Sequence, residues 1–185
     1  MLFLSTAVPE VFVLEQERHA DDRGYFARTW CTRELGAHGL EPRLAQCSVS
    51  FNRSRATLRG LHYQAPPAAE VKVVRCLRGA LMDVAVDLRP DSPTFRRSVE
   101  VELTPLNGRA LYIPRGFAHG FFTLLPETEI EYLISEEYRP ETARGLRWDD
   151  PLLSIAWPGR PEVMSPRDRD YPDARLEQFD ELRGL

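Results

Sequence analysis

The chain has 185 residues, of which 43% are hydrophobic and 28% charged, and its formal net charge is −4. That length fits one domain, residues 1–185, with room for an ordinary core, and the missing basic excess argues against a nucleic-acid partner. No apolar run reaches the length of a membrane span, and Cys31, Cys47 and Cys76 are scattered without a Cys-x-x-Cys pair, so the sequence reads as a cytoplasmic protein with reduced thiols.

Fifteen prolines against eleven glycines favour short elements and turns. Residues 8–14 read as an opening strand, Asp21-Asp22-Arg23-Gly24 as a turn, and Tyr25 to Trp30 as a second strand. Thr32 to His38, closed by Gly39, suits a short helix with a glycine C-cap. Gln46 to Phe51 alternates polar and apolar residues with period two, and a loop from Asn52 to Arg55 leads into Leu58-Arg59-Gly60-Leu61-His62-Tyr63-Gln64. Val71–Leu77 and Ala80–Leu88, divided by Arg78-Gly79, have the form of a β-hairpin. Arg97–Leu103, Ala110–Ile113, Phe117–Leu125 and Thr128–Ile134 complete a series of strands at roughly ten-residue spacing, the pattern of an all-β sandwich or barrel. After Trp148 the chain becomes irregular and rich in proline, with a short helix expected over Ala174–Leu182. No repeat, linker or low-complexity segment interrupts it.

The stretch Leu58–Gln64 concentrates chemistry. On an extended strand Arg59, Leu61 and Tyr63 face one way, while Leu58, Gly60, His62 and Gln64 face the other, with Gly60 leaving space for a close approach. This is a site if that face meets a cavity, and a half-buried strand with a hydrogen-bonded histidine if it does not. The segment Gly108-x5-Pro114-x-Gly116-x2-His119 has the spacing of the second signature of the cupin barrels. The first signature usually supplies His-x-His and a glutamate as metal ligands, whereas here the pair is His62-x-Gln64. Glu70 falls slightly late, and an amide is a poor partner for imidazole around a transition metal. No metal and no other cofactor is therefore expected, and no glycine-rich dinucleotide loop follows a strand. A cavity holding His62, His119, Arg59, Lys72 and Tyr132 suits proton transfer on an anionic substrate, with His62 as base. His119 and Tyr132 also sit among apolar neighbours: core packing is the lesser reading for His119 and an equal one for Tyr132.

Several ordered motifs now converge on one family. They are Asp22-Arg23-Gly24-Tyr25-Phe26, Leu58–Gln64, Asp91-Ser92-Pro93-Thr94-Phe95, Ile113–Phe121, Trp148-Asp149-Asp150-Pro151, Ile155-Ala156-Trp157-Pro158 and Ser165-Pro166-Arg167-Asp168. Over nearly its whole length the chain resembles the dTDP-4-dehydrorhamnose 3,5-epimerases. The resemblance implies an all-β cupin fold, a double-stranded β-helix or jelly-roll barrel with a few short peripheral helices. It also implies epimerisation of a nucleotide-linked 4-keto-6-deoxyhexose.

In that family's pattern His62 is the base, Asp168 orients it, Tyr132 is the acid on the opposite face, and Lys72 stabilises the enolate oxygen with His119 or Arg59. Arg23, Gln46, Arg59, Lys72, His119, Tyr138 and Arg167 would bind the nucleotide diphosphate. The chain departs from the pattern at Arg28 and Ala143, where glutamates are usual, at Ser48 for asparagine, and at Arg167 for a frequent lysine. Arg28 and Ser48 are thus candidate substrate contacts that leave nucleobase and sugar preference open. The resemblance also implies a homodimer, with Arg23 or Arg28 serving the neighbouring subunit's site. Epimerisation at C3 or C5 alone, or action on a CDP- or GDP-linked sugar, are the nearest alternatives; a metal-dependent cupin and a non-catalytic sugar-nucleotide binder belong to different classes. The sequence does not choose between cell-surface rhamnose and a specialised deoxysugar.

Overall fold

The computed structural model describes residues 1–185. Thirteen strands appear in chain order: β1 (Leu2–Ser5), β2 (Phe12–Glu15), β3 (His19–Asp21), β4 (Gly24–Phe26), β5 (Gln46–Asn52), β6 (Leu58–Gln64), β7 (Lys72–Arg78), β8 (Leu81–Asp87), β9 (Ser98–Leu103), β10 (Arg109–Ile113), β11 (Phe117–Thr123), β12 (Thr128–Ile134) and β13 (Ala143–Gly145). Two short helices, α1 (Thr32–Ala37) and α2 (Pro166–Arg169), and a closing 3-10 helix, Leu176–Leu182, lie outside the sheets.

One sheet has six strands in the order β1-β2-β10-β7-β12-β5, the other five in the order β13-β6-β11-β8-β9, and β3-β4 form a separate ribbon. The two large sheets face each other across a core of alternate residues, among them Val74 and Cys76 from β7, Leu81 and Ala85 from β8, Leu111 and Ile113 from β10, Phe117 and Phe121 from β11, and Ile130 from β12. The outer face of the five-stranded sheet is covered by the C-terminal segment, where Phe179 and Leu182 pack on Leu61, Val84, Val86 and Ala118. α1 brings Leu35 onto the outer face of the six-stranded sheet, against Val73, Ala110, Tyr112 and Leu133. These two packed antiparallel sheets are the cupin jelly roll that the resemblance implies.

The expected hairpin over 71–88 does not form. β7 pairs with β10 and β12, and β8 with β9 and β11, so Arg78-Gly79 carries the chain from one sheet to the other. Local pattern cannot distinguish these outcomes, because a tight glycine turn serves both a hairpin and a sheet-to-sheet corner. Gly79 has φ +81, and a side chain there would strike Thr128. Other differences are local. The strand expected over Tyr25–Trp30 ends at Phe26, the one expected over residues 8–14 runs from Phe12 to Glu15, β1, β3, β13 and α2 are not among the expected elements, and the last helix is of 3-10 type.

β6 also departs from simple alternation. His62 of β6 lies opposite His119, but Arg59 lies opposite Phe121, so three residue steps on β6 match two on β11. The extra residue is a β-bulge at Gly60–Leu61. Gly60 has φ +123, and a Cβ there would lie 2.5 Å from Gly120 Cα and 2.9 Å from the His119 carbonyl. The bulge reverses side-chain parity below it, so Leu58 packs outward with Phe122 while Arg59 joins His62 and Gln64 on the inner wall.

Candidate active site

Between the sheets, at the polar end of the barrel, lies a cavity of about 340 Å³. β6 contributes Arg59, His62 and Gln64, and β5 places Gln46, Ser48 and Ser50 at its rim. Lys72, His119, Tyr132, Tyr138 and Arg167, all expected from sequence, also line it, together with Glu70 and Arg144. A second lobe shares Arg59, His62 and Arg167 and adds Asp168. Arg23 and Arg28 are not brought here: Arg23 is 90% exposed and bound to Asp21 on the β3–β4 ribbon, and Arg28 pairs with Glu34 at 2.8 Å. A single chain therefore brings His62, Tyr132, Lys72 and Asp168 to one cavity but not these two arginines.

His62 Nε2 donates to Asp168 Oδ1 at 2.7 Å. The ring is 42% exposed at its side chain whereas the carboxylate is 6% exposed, so Asp168 fixes the imidazole from behind and leaves Nδ1 for a ligand. Asp168 is itself held by α2. Ser165 caps that helix by accepting the Asp168 amide at 3.0 Å, with Pro166 in the first turn, a favoured helix start. Burial alone pushes the Asp168 carboxyl up, but the His62 hydrogen bond and charge, aided by the Gly60 amide, bring it below the ordinary range.

Tyr132 stands on the opposing sheet, on β12. Burial pushes its phenol up to about 12, against the hydrogen bond with Ser50 Oγ at 3.2 Å and the charge of Arg59, so the hydroxyl stays protonated at neutral pH. His119 reaches Asp83 Oδ1 at 2.7 Å and meets the Tyr132 ring edge-on. Asp83 is fully buried with Oδ2 unpartnered, and burial raises its carboxyl above the usual range although His119 and Lys72 oppose this. His119 is thus both buried and part of the cavity wall.

Asp83, Ser50 and Glu70 take positions at the site that sequence reading did not assign to them. Asp83 had a signal, a lone acid on the inward face of an apolar strand between Leu81 and Ala85. Ser50 had only its parity with Gln46 and Ser48. Glu70, weighed as a metal ligand, instead takes Lys72 Nζ at 2.7 Å and the Gln64 amide at 2.9 Å. Gln64 Oε1 accepts the Arg139 amide and the Thr142 hydroxyl, so its carboxamide is committed to the loop around 137–142. No group of three or more His, Cys, Asp or Glu side chains is arranged to hold a metal ion.

A cupin barrel whose cavity carries an oriented imidazole on one sheet, a protonated phenol on the other and cations between them belongs to the class of acid–base enzymes acting on anionic ligands. The family model for dTDP-4-dehydrorhamnose 3,5-epimerase matches residues 5–175, and the chain belongs to that family. It is 42% identical over 173 residues to a dTDP-4-dehydrorhamnose 3,5-epimerase of Sinorhizobium fredii, covering 93% of this chain and 89% of the relative. The crystal structure of the Bacillus anthracis enzyme with TDP and PPi bound superposes with a TM-score of 0.89 at 37% identity, covering 94% of this chain and 99% of the other. The Legionella pneumophila enzyme in complex with dTDP-4-keto-L-rhamnose superposes at 0.84 with 36% identity, over 90% and 89% of the two chains.

Proposed function

We propose that this protein is an isomerase converting dTDP-4-dehydro-6-deoxy-D-glucose to dTDP-4-dehydro-L-rhamnose by epimerisation at C3 and C5. The observation that carries the reading is the placement of His62 and Tyr132 on opposing sheets of one cavity, because inversion requires a proton to leave one face of the sugar and return to the other.

His62, oriented through Nε2 by Asp168, takes the proton beside the C4 ketone at Nδ1. The carboxylate favours the imidazolium that results. The electrons move to the ketone oxygen, where Lys72 Nζ meets the developing enolate; preorganised donors of this kind lower such barriers by about 3 kcal/mol each. Tyr132 then delivers its proton to the opposite face, and Ser50 holds the phenol in place. C3 and C5 both flank C4, so one acid–base pair serves both centres when the ring shifts. Arg59 and Arg167, whose planar forks match phosphate, suit the diphosphate, and Gln46, Ser48, His119 and Tyr138 line the remaining wall.

Turnover in deuterated water tests the reaction: label at both C3 and C5 is expected, and label at one carbon sinks the double epimerase. His62→Ala and Tyr132→Phe are expected to abolish turnover while retaining dTDP binding. Loss of binding with surviving turnover would contradict their roles.

The working unit in this reading is a single-domain homodimer in the cytoplasm. β5 is a sheet edge that bares Val49 and Phe51, at 56% and 47% exposure, and the β3–β4 ribbon carries Arg23 and an exposed Phe26 away from this chain's own cavity. Both features suit a second subunit that covers β5 and receives Arg23 or Arg28. The free thiols suit a reducing compartment.

A further inference from the structure

Four cations line the cavity, and they are not equivalent. Lys72 pairs with Glu70 at 2.7 Å and Arg144 with Glu181 at 3.3 Å. Arg59 and Arg167 have no carboxylate partner: Arg59 Nε donates to Asn52 Oδ1 at 2.8 Å and Arg167 Nε to the Tyr171 hydroxyl at 2.8 Å. Both unpaired arginines also lie where the two lobes of the cavity meet. The Lys72–Glu70 pair is well shielded, with side-chain exposures of 12% and 9%, and shielding strengthens the interaction of both charges with anything nearby. Glu70 is fixed from its other oxygen by Gln64, whose amide also reaches the Ala68 and Glu137 carbonyls.

We propose that Glu70 is a positioning and specificity residue for the reaction assigned above, on which this inference rests. It holds Lys72 Nζ at the ketone position and cancels its charge toward a phosphate. An ammonium paired with a carboxylate still offers an N–H to a carbonyl oxygen that becomes an enolate. It offers little to a diphosphate, which would have to sit beside Glu70 and be repelled. The two unpaired arginines then become the preferred place for the diphosphate, and the sugar is left facing Lys72, His62 and Tyr132. Gln64 contributes by clamping the carboxylate, a use of its carboxamide unrelated to metal binding.

Calorimetric titration with inorganic pyrophosphate and with dTDP, beside steady-state turnover, tests this on the wild type, Glu70→Gln and Glu70→Asp. Glu70→Gln preserves shape and frees the ammonium, so pyrophosphate should bind about threefold to tenfold tighter, the effect of one unmasked, shielded charge. At the same time kcat should fall on the order of tenfold, less than the ~10²-fold or more that deleting an oxyanion donor costs. Glu70→Asp keeps the charge and should leave pyrophosphate affinity within about twofold of wild type. A purely structural glutamate would weaken affinity and turnover together; that result, or unchanged values of both in Glu70→Gln, overturns the proposal, as does equal tightening in Glu70→Asp. A wild-type protein that binds dTDP but does not exchange C3 or C5 hydrogens sinks the epimerase reading instead, and the pyrophosphate comparison, which needs no turnover, then judges Glu70 alone.

Discussion

At the residue scale, the proposed mechanism rests on which nitrogen of His62 is left free. Asp168 occupies Nε2 at 2.7 Å, so Asp168→Asn keeps the shape of the contact but removes the charge that favours the imidazolium and the required tautomer. We expect kcat to fall on the order of 10²–10⁴-fold with little change in dTDP affinity, by analogy with the loss when an orienting carboxylate is amidated in other triads; calorimetry and turnover read the two separately. The same residue links folding to pH. Its carboxyl lies below the ordinary value of 3.8 in the folded chain, so the unfolded chain binds the proton more readily. The stabilisation is complete above that value and is lost as pH falls through the lower, folded one. Urea titrations between about pH 5 and pH 3 should therefore show a shallower loss of stability in Asp168→Asn than in wild type.

At the scale of the element, the bulge in β6 makes the site. Without it Arg59 would follow Leu61 and Tyr63 to the outer face, and the cavity would lose an unpaired cation. Gly60→Ala combines a disfavoured φ of +123 with a contact 2.5 Å from Gly120 Cα. We expect it to destabilise by about 3 kcal/mol or more, from backbone strain plus overpacking, measured as a lower denaturant midpoint. In the surviving folded fraction, Arg59 should be displaced and dTDP binding weakened. α2 illustrates the same dependence in four residues: Ser165 and Pro166 start a helix whose use is to present Asp168 to His62.

At the scale of the molecule, two apolar faces are covered from within the chain, while the edge strand β5 carries exposed apolar side chains. The C-terminal 3-10 helix covers the outer five-stranded sheet and α1 covers part of the six-stranded sheet, while β5 leaves Val49 and Phe51 in water. Exposed edges invite pairing with another chain. Phe51→Glu is expected to convert the proposed dimer to a monomer in sedimentation, and to lower activity because Arg23 or Arg28 no longer reaches a neighbouring cavity. A Phe51→Glu protein that remains a fully active dimer would place the interface elsewhere.

The sequence by itself determined the strand count in the central region, since β5 alternates with period two and the strands after it are short apolar runs bounded by turn residues. It also picked out most of the side chains that line the cavity. His62, Lys72, Tyr132 and Asp168 were legible because they fall within ordered motifs shared with one family. Only the tertiary structure decided which strands share a sheet, because the glycine at 79 permits a hairpin and a corner alike and long-range pairing chooses. It alone turned Arg59 inward, through an extra residue that period-two reading does not register. It alone joined Asp83 to His119 and Glu70 to Lys72, and left Arg23 and Arg28 outside one chain's cavity. Periodicity reports which residues seek burial; partners for buried charge are set by the three-dimensional approach of elements distant in sequence, and those partners fix the roles of the cations in this site.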